Sequence, residues 1–478
     1  MNLLRLKSHD WVITIIISLL LFIGTVVIYS TTLYSVSEAQ GAGTLPKQLI
    51  FIIIGVSAYF LLSLVDFSWL QTRAILVFLY IAIIAFLIFV VFFGENIAGT
   101  NRWIDIGFFS FQPSEYAKIV LILVTAAIFT IEEKVVSNKT IKFNKSKGKA
   151  LKGYKSILER VKQLWTENTQ IRKYTLSILT ALPIVVLTLI QPSLGNAVIL
   201  LLLWVMLLFV VFPKQHQLLL IILIIVAVFA ILAQLLQITR VEYTLSLEMG
   251  SSQPNLVLIG VLIASVVIGL VAGRLKPYMF VIIPLIGAVL FSATVFGWNN
   301  ILTNYQKDRI DTFVQGPESD PLGTGYQVRQ SKVAIGAGRF YGRGFLQGTQ
   351  SNLNVLTQAH TDFVFASLSE QFGFLGGGLA LILYLILIFR ILRIGSEATS
   401  EFGTVVAVGV AVLLLLHVLI NIGMNMGKLP VTGIPLPLVS YGGSSVFVTL
   451  ISLGIVQSIS GSKRAVDISD SLMLRSLS

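Results

Sequence analysis

Twelve stretches of this chain stay apolar for 17 residues or more, and that recurrence narrows the possible folds more than any other feature. They are residues 11–30, 46–65, 74–93, 114–131, 174–190, 195–211, 217–236, 256–272, 278–296, 363–389, 403–422 and 439–459. A helix crossing the hydrocarbon core of a bilayer needs about 20 such residues. Inside lipid no water takes the backbone N–H and C=O groups, so each stretch must satisfy them internally as a helix. The charge content agrees: 12% of the 478 residues are charged, against about 25% in a soluble domain. The first stretch follows Arg5 and Lys7, as in a signal peptide. Its length and the eleven stretches behind it mark an uncleaved anchor instead. Cysteine is absent, which excludes a disulfide framework, a thiolate metal site and a Cys nucleophile.

Lysine and arginine set the orientation of such a chain. With the N-terminus inside and the spans alternating, the inward segments hold 23 of the 34 basic residues, the outward segments hold ten, and Lys118 lies within a span. Both termini are therefore expected in the cytoplasm of a cell whose plasma membrane holds the chain. Six of the ten outward cations fall in one extracytoplasmic loop, residues 297–362. The net charge of +12 does not call for nucleic acid. Its largest block, residues 132–173, carries 12 Lys and Arg against four Glu and reads as a cytoplasmic segment resting on anionic membrane lipid. Within it, residues 157–164 read as a short amphipathic surface helix.

Ionisable groups in or beside a span are costly and point to function. Gly99-Thr100-Asn101-Arg102-Trp103 leads into Gln112-Pro113-Ser114-Glu115-Tyr116-Ala117-Lys118. Pro113 suits a first helical turn, and Glu115 complements the helix dipole there. Lys118 lies three residues on, on the same face, where it can pair with Glu115. Asp362 is either the N-cap of the next span or a functional group following His360. Glu370, deeper in that span, needs a partner. Near the C-terminus, three prolines (Pro430, Pro435, Pro437) and the Gly442-Gly443 pair precede Ser444. They imply a broken helix whose freed backbone groups line a cavity.

The outer loop is the densest polar region. It runs through Arg309-Ile310-Asp311, Glu318-Ser319-Asp320-Pro321-Leu322-Gly323-Thr324-Gly325, Gln327, Gln330-Ser331-Lys332 and Gly342-Arg343-Gly344 to Gln350-Ser351. Pro321, Gly323 and Gly325 impose a defined irregular backbone that can hold a carboxylate in place. A loop of about 65 residues is usually functional or disordered, and this composition is not that of disorder.

Together these motifs resemble the SEDS family of shape, elongation, division and sporulation proteins (FtsW/RodA/SpoVE). The resemblance is carried by the segment from Arg309 to Ser351, the His360-Thr361-Asp362-Phe363 step, the Gln112-Pro113-Ser114-Glu115 turn and the stretch from Leu429 to Ser445. Phe345-Leu346-Gln347-Gly348-Thr349-Gln350-Ser351 leans toward the RodA-like, elongation branch. Two departures stand out. The family core has ten spans, so one pair appears inserted at 214–276. The chain also carries Ser193 where the family generally has Asp, and Asn196 where Thr is common.

The fold class that follows is an all-α polytopic membrane protein of about twelve spans. Four spans occupy 1–131, then come the basic segment 132–173, a helix pair at 174–213, the inserted pair at 214–276 and one helix at 277–297. The catalytic loop covers 298–362, three more spans 363–460 and a cytoplasmic tail 461–478. The resemblance implies a peptidoglycan glycosyltransferase that polymerises lipid II during elongation, with a class B penicillin-binding protein transpeptidase as partner. Asp320 matches the family's catalytic aspartate, as general base or as anchor for a divalent cation (Mg or Mn). Glu318 and Asp311 lie close enough in sequence to share that role. Lys332, Arg309, Arg343 and Arg102 are candidates for the leaving diphosphate, and Glu115 and Lys118 for the wall of a groove holding the lipid tail. Gln327, Gln330, Ser331, His360, Asp362, Ser440 and Ser444 complete the expected substrate contacts. The rivals are a lipid II flippase or transporter and a non-catalytic scaffold of the division or elongation machinery.

Overall fold

The structure, a computed structural model, describes residues 9–33, 43–97, 100–105, 107, 110–131, 169–213, 217, 292, 294–352, 355–356 and 358–476. Among them nine helices are long and apolar enough to cross a membrane. In chain order these are α1 (Trp11–Leu33), α2 (Thr44–Leu64), α3 (Arg73–Phe93), α4 (Pro113–Thr130), α5 (Thr169–Ile190), α6 (Leu194–Val211), α10 (Val364–Ser396), α11 (Glu401–Asn425) and α12 (Gly443–Ser476). Three shorter helices precede α10: α7 (Asn304–Gln315), α8 (Thr324–Gly338) and the single turn α9 (Thr349–Asn352). The expected span at 256–272 and the amphipathic stretch 157–164 lie outside the described residues, as do all of 217–236 but residue 217, all of 278–296 but 292 and 294–296, and nearly all of the basic segment.

The interior belongs to α4, α11 and α12, whose apolar windows are 72%, 72% and 83% buried, whereas α3 and α5 reach 22%. The outer helices accordingly present large apolar side chains such as Phe78, Ile81 and Phe92, as lipid contact requires. Lipid tails are as apolar as leucine, so helices in a membrane gain most by packing backbones closely over small residues. Gly454 of α12 lies against the Tyr59 backbone of α2, and a Cβ at Gly55 would come within 2.5 Å of the Leu450 side chain.

Two departures from helical expectation shape one end of the bundle. A three-stranded antiparallel sheet, β1 (Glu95–Ile97), β2 (Thr100–Asp105) and β3 (Ser110–Phe111), stands between α3 and α4, with Ile97 opposite Thr100 and Ile104 opposite Phe111. The Asp105 carboxylate accepts from Gly107 N at 2.8 Å and closes the turn between β2 and β3. Inside α10, Gly373 adopts φ +65° and breaks the helical path. The freed carbonyls of Glu370 and Gln371 accept from Arg343 N (2.9 Å) and Gly344 N (3.0 Å), which pins the preceding loop onto α10.

The proline-rich stretch differs from the broken helix expected of it. α11 ends at Asn425, α12 begins at Gly443, and residues 426–442 form an irregular strap between them. Val431, Ile434, Leu436 and Leu438 of the strap are buried. Its backbone is satisfied by neighbours: Ile434 O accepts from Asn421 Nδ2 (2.7 Å), Leu436 N donates to Ser440 Oγ (2.8 Å) and Tyr441 N donates to His360 O (2.8 Å). Non-helical backbone at this depth is tolerated because protein, not lipid, surrounds it.

Candidate active site

Three segments meet at one end of the bundle: the sheet, the loop bearing α7 to α9, and the strap. Asp320 is fixed there by local geometry. Pro321 and Gly323 turn the chain into α8, whose first N–H groups have no partner within the helix. One Asp320 oxygen accepts from Gly323 N at 2.9 Å. The other accepts from Thr324 N at 2.6 Å and Thr324 Oγ1 at 3.1 Å. Burial pushes this carboxyl up, but the hydrogen bonds from Gly323, Thr324 and Gly325 together outweigh it and hold Asp320 below the usual aspartate range. Gly323 is required sterically, since a Cβ there would lie 2.4 Å from an Asp320 oxygen. Glu318, two residues earlier, is exposed.

Thr324 links Asp320 to a narrow cleft of about 40 Å³, walled by Arg309, Thr312, Thr324, Lys332, Gly427 and Val431. Arg309 donates to Val431 O at 3.2 Å, and its guanidinium lies 4.4 Å from the centre of the Tyr305 ring while bonding the Tyr305 hydroxyl. Lys332 runs across Gly427, which has φ +64° and no side chain to block it.

Beside this cleft lies a charged cluster built from all three segments. Asp362 is not a cap, because the N-cap of α10 is Phe363 and makes no side-chain hydrogen bond. Asp362 and Arg309 both flank Gly433, each within 3.4 Å of where its Cβ would be. Burial raises the Asp362 carboxyl, and the opposing pull of Arg309 and then Arg102 does not cancel it. Burial likewise lowers Arg102, against the attraction of Asp362. The Nε atoms of Arg102 and Arg309 are buried and donate to nothing among the described residues. Two cationic donors left open beside a single carboxylate leave the cluster short of negative charge, and buried donors ordinarily find a partner.

The structure separates several of the other expected contacts from this place. Ser331 Oγ is buried and donates to Asn425 O (2.8 Å). Ser440 Oγ donates to Thr361 O (2.6 Å), while Ser444 Oγ donates to Ser110 O (2.9 Å) and accepts from Gln112 N (3.2 Å). These hydroxyls tie segments together and are not aimed at a ligand. His360 packs its ring 5.7 Å from Tyr441, and burial lowers its basicity. Gln327 and Gln330 are half-buried on α8 and do not line the cleft. Arg343 is exposed and donates to Thr349 Oγ1 at 2.6 Å, away from the cleft. Thr349 belongs to a cradle around Glu370, the partner its buried position called for. Glu370 accepts from Gln350 N (2.9 Å), Ser351 N (3.0 Å) and Ser351 Oγ (2.8 Å).

Glu115 and Lys118 do pair, at 2.7 Å, but not on the wall of an open groove. Lys118 is fully buried, and the space around the pair, about 10 Å³, cannot admit a lipid tail. Lys118 Nζ also donates to His417 Nε2 at 3.0 Å, and His417 Nδ1 donates to Leu413 O at 2.8 Å. Asn196 donates to Ser114 Oγ at 3.0 Å and faces Glu115. His417 was not anticipated. Its signal lay in the spacing of His417, Asn421 and Asn425, a polar stripe at i, i+4, i+8 on one face of an apolar helix. Both asparagines donate to Asp362 O at 3.0 Å, so the stripe joins the buried ion pair to the surface cluster.

The side chains do not by themselves form a resident metal site. Among the described residues no three His, Asp or Glu side chains converge, and Mg²⁺ demands near-octahedral oxygen ligation. A cation held by Asp320 would complete its shell with water and substrate oxygens.

A bundle of apolar helices, carrying at one end a folded loop around a hydrogen-bonded aspartate and a cationic cleft, defines a multi-pass membrane protein with its candidate site at a membrane face. The chain belongs to the FtsW/RodA/SpoVE family, described as cell cycle proteins, which matches residues 10–249 and 243–465. It is 29% identical to the peptidoglycan glycosyltransferase RodA of Treponema pallidum over 466 residues, 96% of this chain and 99% of the relative. It is 49% identical to the peptidoglycan glycosyltransferase MrdB of Escherichia coli over 162 residues, 34% of this chain and 44% of the relative. A chain from a peptidoglycan synthase complex that coordinates polymerization and crosslinking shares the fold, with a TM-score of 0.60 at 24% identity over 95% of this chain and 98% of that one.

Proposed function

We propose that this protein is a peptidoglycan glycosyltransferase that polymerises lipid II at the outer face of the plasma membrane, with Asp320 as the base. The observation that carries the reading is an ionised carboxylate moored on the N-terminus of α8 and linked through Thr324 to a cleft lined by Arg309 and Lys332. Family membership and the two curated glycosyltransferases similar to this chain support it.

In this reaction a sugar hydroxyl attacks the anomeric carbon of a second, lipid-linked chain. The bond from that carbon to the diphosphate breaks, and the proton of the attacking hydroxyl passes to Asp320. The hydrogen bonds from Gly323, Thr324 and Gly325 make Asp320 a weak base. It therefore takes the proton late, once the oxocarbenium-like transition state has made the hydroxyl acidic. The departing diphosphate carries the negative charge that the Arg102, Arg309 and Asp362 cluster lacks, and the open Nε donors suit its oxygens. Arg102, Arg309 and Lys332 remain the proposed diphosphate contacts; Arg343 supports the Glu370 cradle instead. A class B penicillin-binding protein is the proposed partner, supported by the similar chain's presence in a complex that couples polymerization to crosslinking.

The test is reconstitution of the purified chain in liposomes with labelled lipid II. Glycan strands are expected. Transbilayer movement of lipid II without strands would replace this reading with a flippase, and the sealed space around Glu115 and Lys118 speaks against such a path.

The pH profile gives a second test. Asp320 is depressed, so its active, ionised form is lost only as pH falls through a value below the ordinary aspartate range, about 3.9. Asp362 is raised, so it protonates first, above that value, and removes the largest single attraction on Arg102, leaving Arg102 and Arg309 to repel each other more strongly. The acid limb of kcat/KM is thus expected to belong to Asp362. In Asp362→Asn, activity should be low and flat across that window; an unmoved limb would sink the assignment.

A further inference from the structure

We propose that the opposite end of the bundle holds a binding site for an anionic phospholipid of the cytoplasmic leaflet. A cavity of about 650 Å³ opens between α3, α4 and α5, within the range of roughly 300–1,000 Å³ that small-molecule sites occupy. Its walls are mostly apolar, with Leu76, Val124 and Leu176 among them, and the end where α3 and α5 begin carries three cations, Arg73, Arg172 and Lys173. The deep end is closed where Tyr80 OH donates to Thr180 O at 3.2 Å, tying α3 to α5. At the cationic end, Lys173 Nζ donates to Phe129 O in the last turn of α4 at 2.7 Å, which fixes that cation beside the cavity.

The arrangement has the two halves that a phospholipid has. Acyl chains match the apolar walls, and a phosphodiester matches the cations. Arg73 opens α3 and Arg172 lies in the first turn of α5, so two helix N-termini add their positive ends to the same end of the cavity. Basic pockets between spanning helices on the cytoplasmic side hold anionic headgroups on this principle. The distribution of Lys and Arg along the chain puts this end inside. A free anion would need the cations but not the cleft, and a zwitterionic lipid would need the cleft but not the cations. The structure supplies both together, on helices that are otherwise peripheral. None of these residues takes part in the site around Asp320.

The experiment uses the full chain, stripped of lipid in a non-ionic detergent. Phosphatidylglycerol or phosphatidylcholine with identical acyl chains is added, and binding is read by native mass spectrometry. A headgroup cation contributes about fivefold in affinity, so phosphatidylglycerol is expected to bind at least about tenfold more tightly than phosphatidylcholine. Arg73→Gln with Arg172→Gln, which leaves only Lys173, should cut the preference to about fivefold or less. Ala127→Phe, which fills the cavity and leaves the cations in place, should weaken both lipids. Glycerophosphate, a headgroup without chains, should not compete. Equal binding of the two lipids by the unaltered chain overturns the proposal. So does a preference that the paired arginine substitutions leave undiminished, and so does full competition by glycerophosphate, which would mean a free-anion site. Gel filtration and thermal unfolding of each variant establish that a loss reflects the site. If a variant fails to fold, the comparison of the two lipids on the unaltered chain decides alone.

Discussion

Asp320→Asn is expected to lower lipid II polymerisation about 10²- to 10⁴-fold, the range a positioned general base contributes, while the protein remains folded in its membrane. The substitution keeps the shape of the side chain and removes its charge. It also turns one acceptor into a donor, facing either Gly323 N or Thr324 N, which now donate at 2.9 and 2.6 Å. Losing one such bond to a charged acceptor costs about 1.5–3 kcal/mol, too little to unfold the bundle, and retained fold is checked by thermal unfolding of the variant. Asp320→Glu separates charge from position. It keeps the charge but lengthens the arm, so the carboxylate leaves the position fixed by Gly323 N and Thr324, and it too should lose most of the activity. Strand synthesis by Asp320→Asn within about threefold of the unaltered rate would show that the carboxylate is not the base.

The placement of Asp320 could be anticipated in part. Pro321, Gly323 and Gly325 announce a turn that can hold a carboxylate, and the turn does so. The helices on either side are less legible, because both are short and polar and the glycines and prolines between them are compatible with loop. A signal was nevertheless present. Thr303 and Gln306 have the spacing of a capping box, and the structure forms it at the start of α7. The spans at 11–30 and 403–422 were legible because about 20 apolar residues leave a chain in lipid one conformation. The strap at 426–442 was legible in part: Gly427, Leu429, Pro430 and Val431 wall the cleft, while Ile434, Leu436 and Leu438 are buried in protein. Prolines and glycines exclude a continuous helix, but they do not say whether the freed backbone faces a cavity or packed protein. That depends on side chains far away in sequence, such as Asn421, Arg309 and His360, and only the assembled fold brings them together. The Glu370 cradle is a similar case. The sequence shows a carboxylate in an apolar run, which needs a partner, but not that Gln350 and Ser351, some twenty residues earlier, provide it.

The buried pair of α4 carries the largest expected effect on stability. Glu115 and Lys118 are both sealed from solvent, and each is the other's counter-charge. Removing one partner leaves the other charged and unpaired in the interior, which costs about 3–5 kcal/mol. Glu115→Ala should therefore lower the midpoint of thermal unfolding in detergent sharply, and Lys118→Ala should do the same. His417 adds an asymmetry. Its Nε2 accepts from Lys118, so losing Lys118 strands His417 and leaves Glu115 with the neutral Asn196 amide and no counter-charge, whereas losing Glu115 strands no second group and leaves Lys118 its bond to His417. Lys118→Ala is accordingly expected to be the worse of the two. Replacing both at once, Glu115→Gln with Lys118→Met, removes the unpaired charge and should recover most of the lost stability, because a buried ion pair is stabilising mainly against the loss of one member. The same double variant tests what the pair does. If the stable double variant still polymerises lipid II, the pair serves the fold alone. If it is folded and inactive, the stripe from His417 through Asn421 and Asn425 to Asp362 carries its influence to the cluster that meets the diphosphate. Single variants as stable as the unaltered chain would mean that water or lipid reaches a place the packing of α4, α11 and α12 closes.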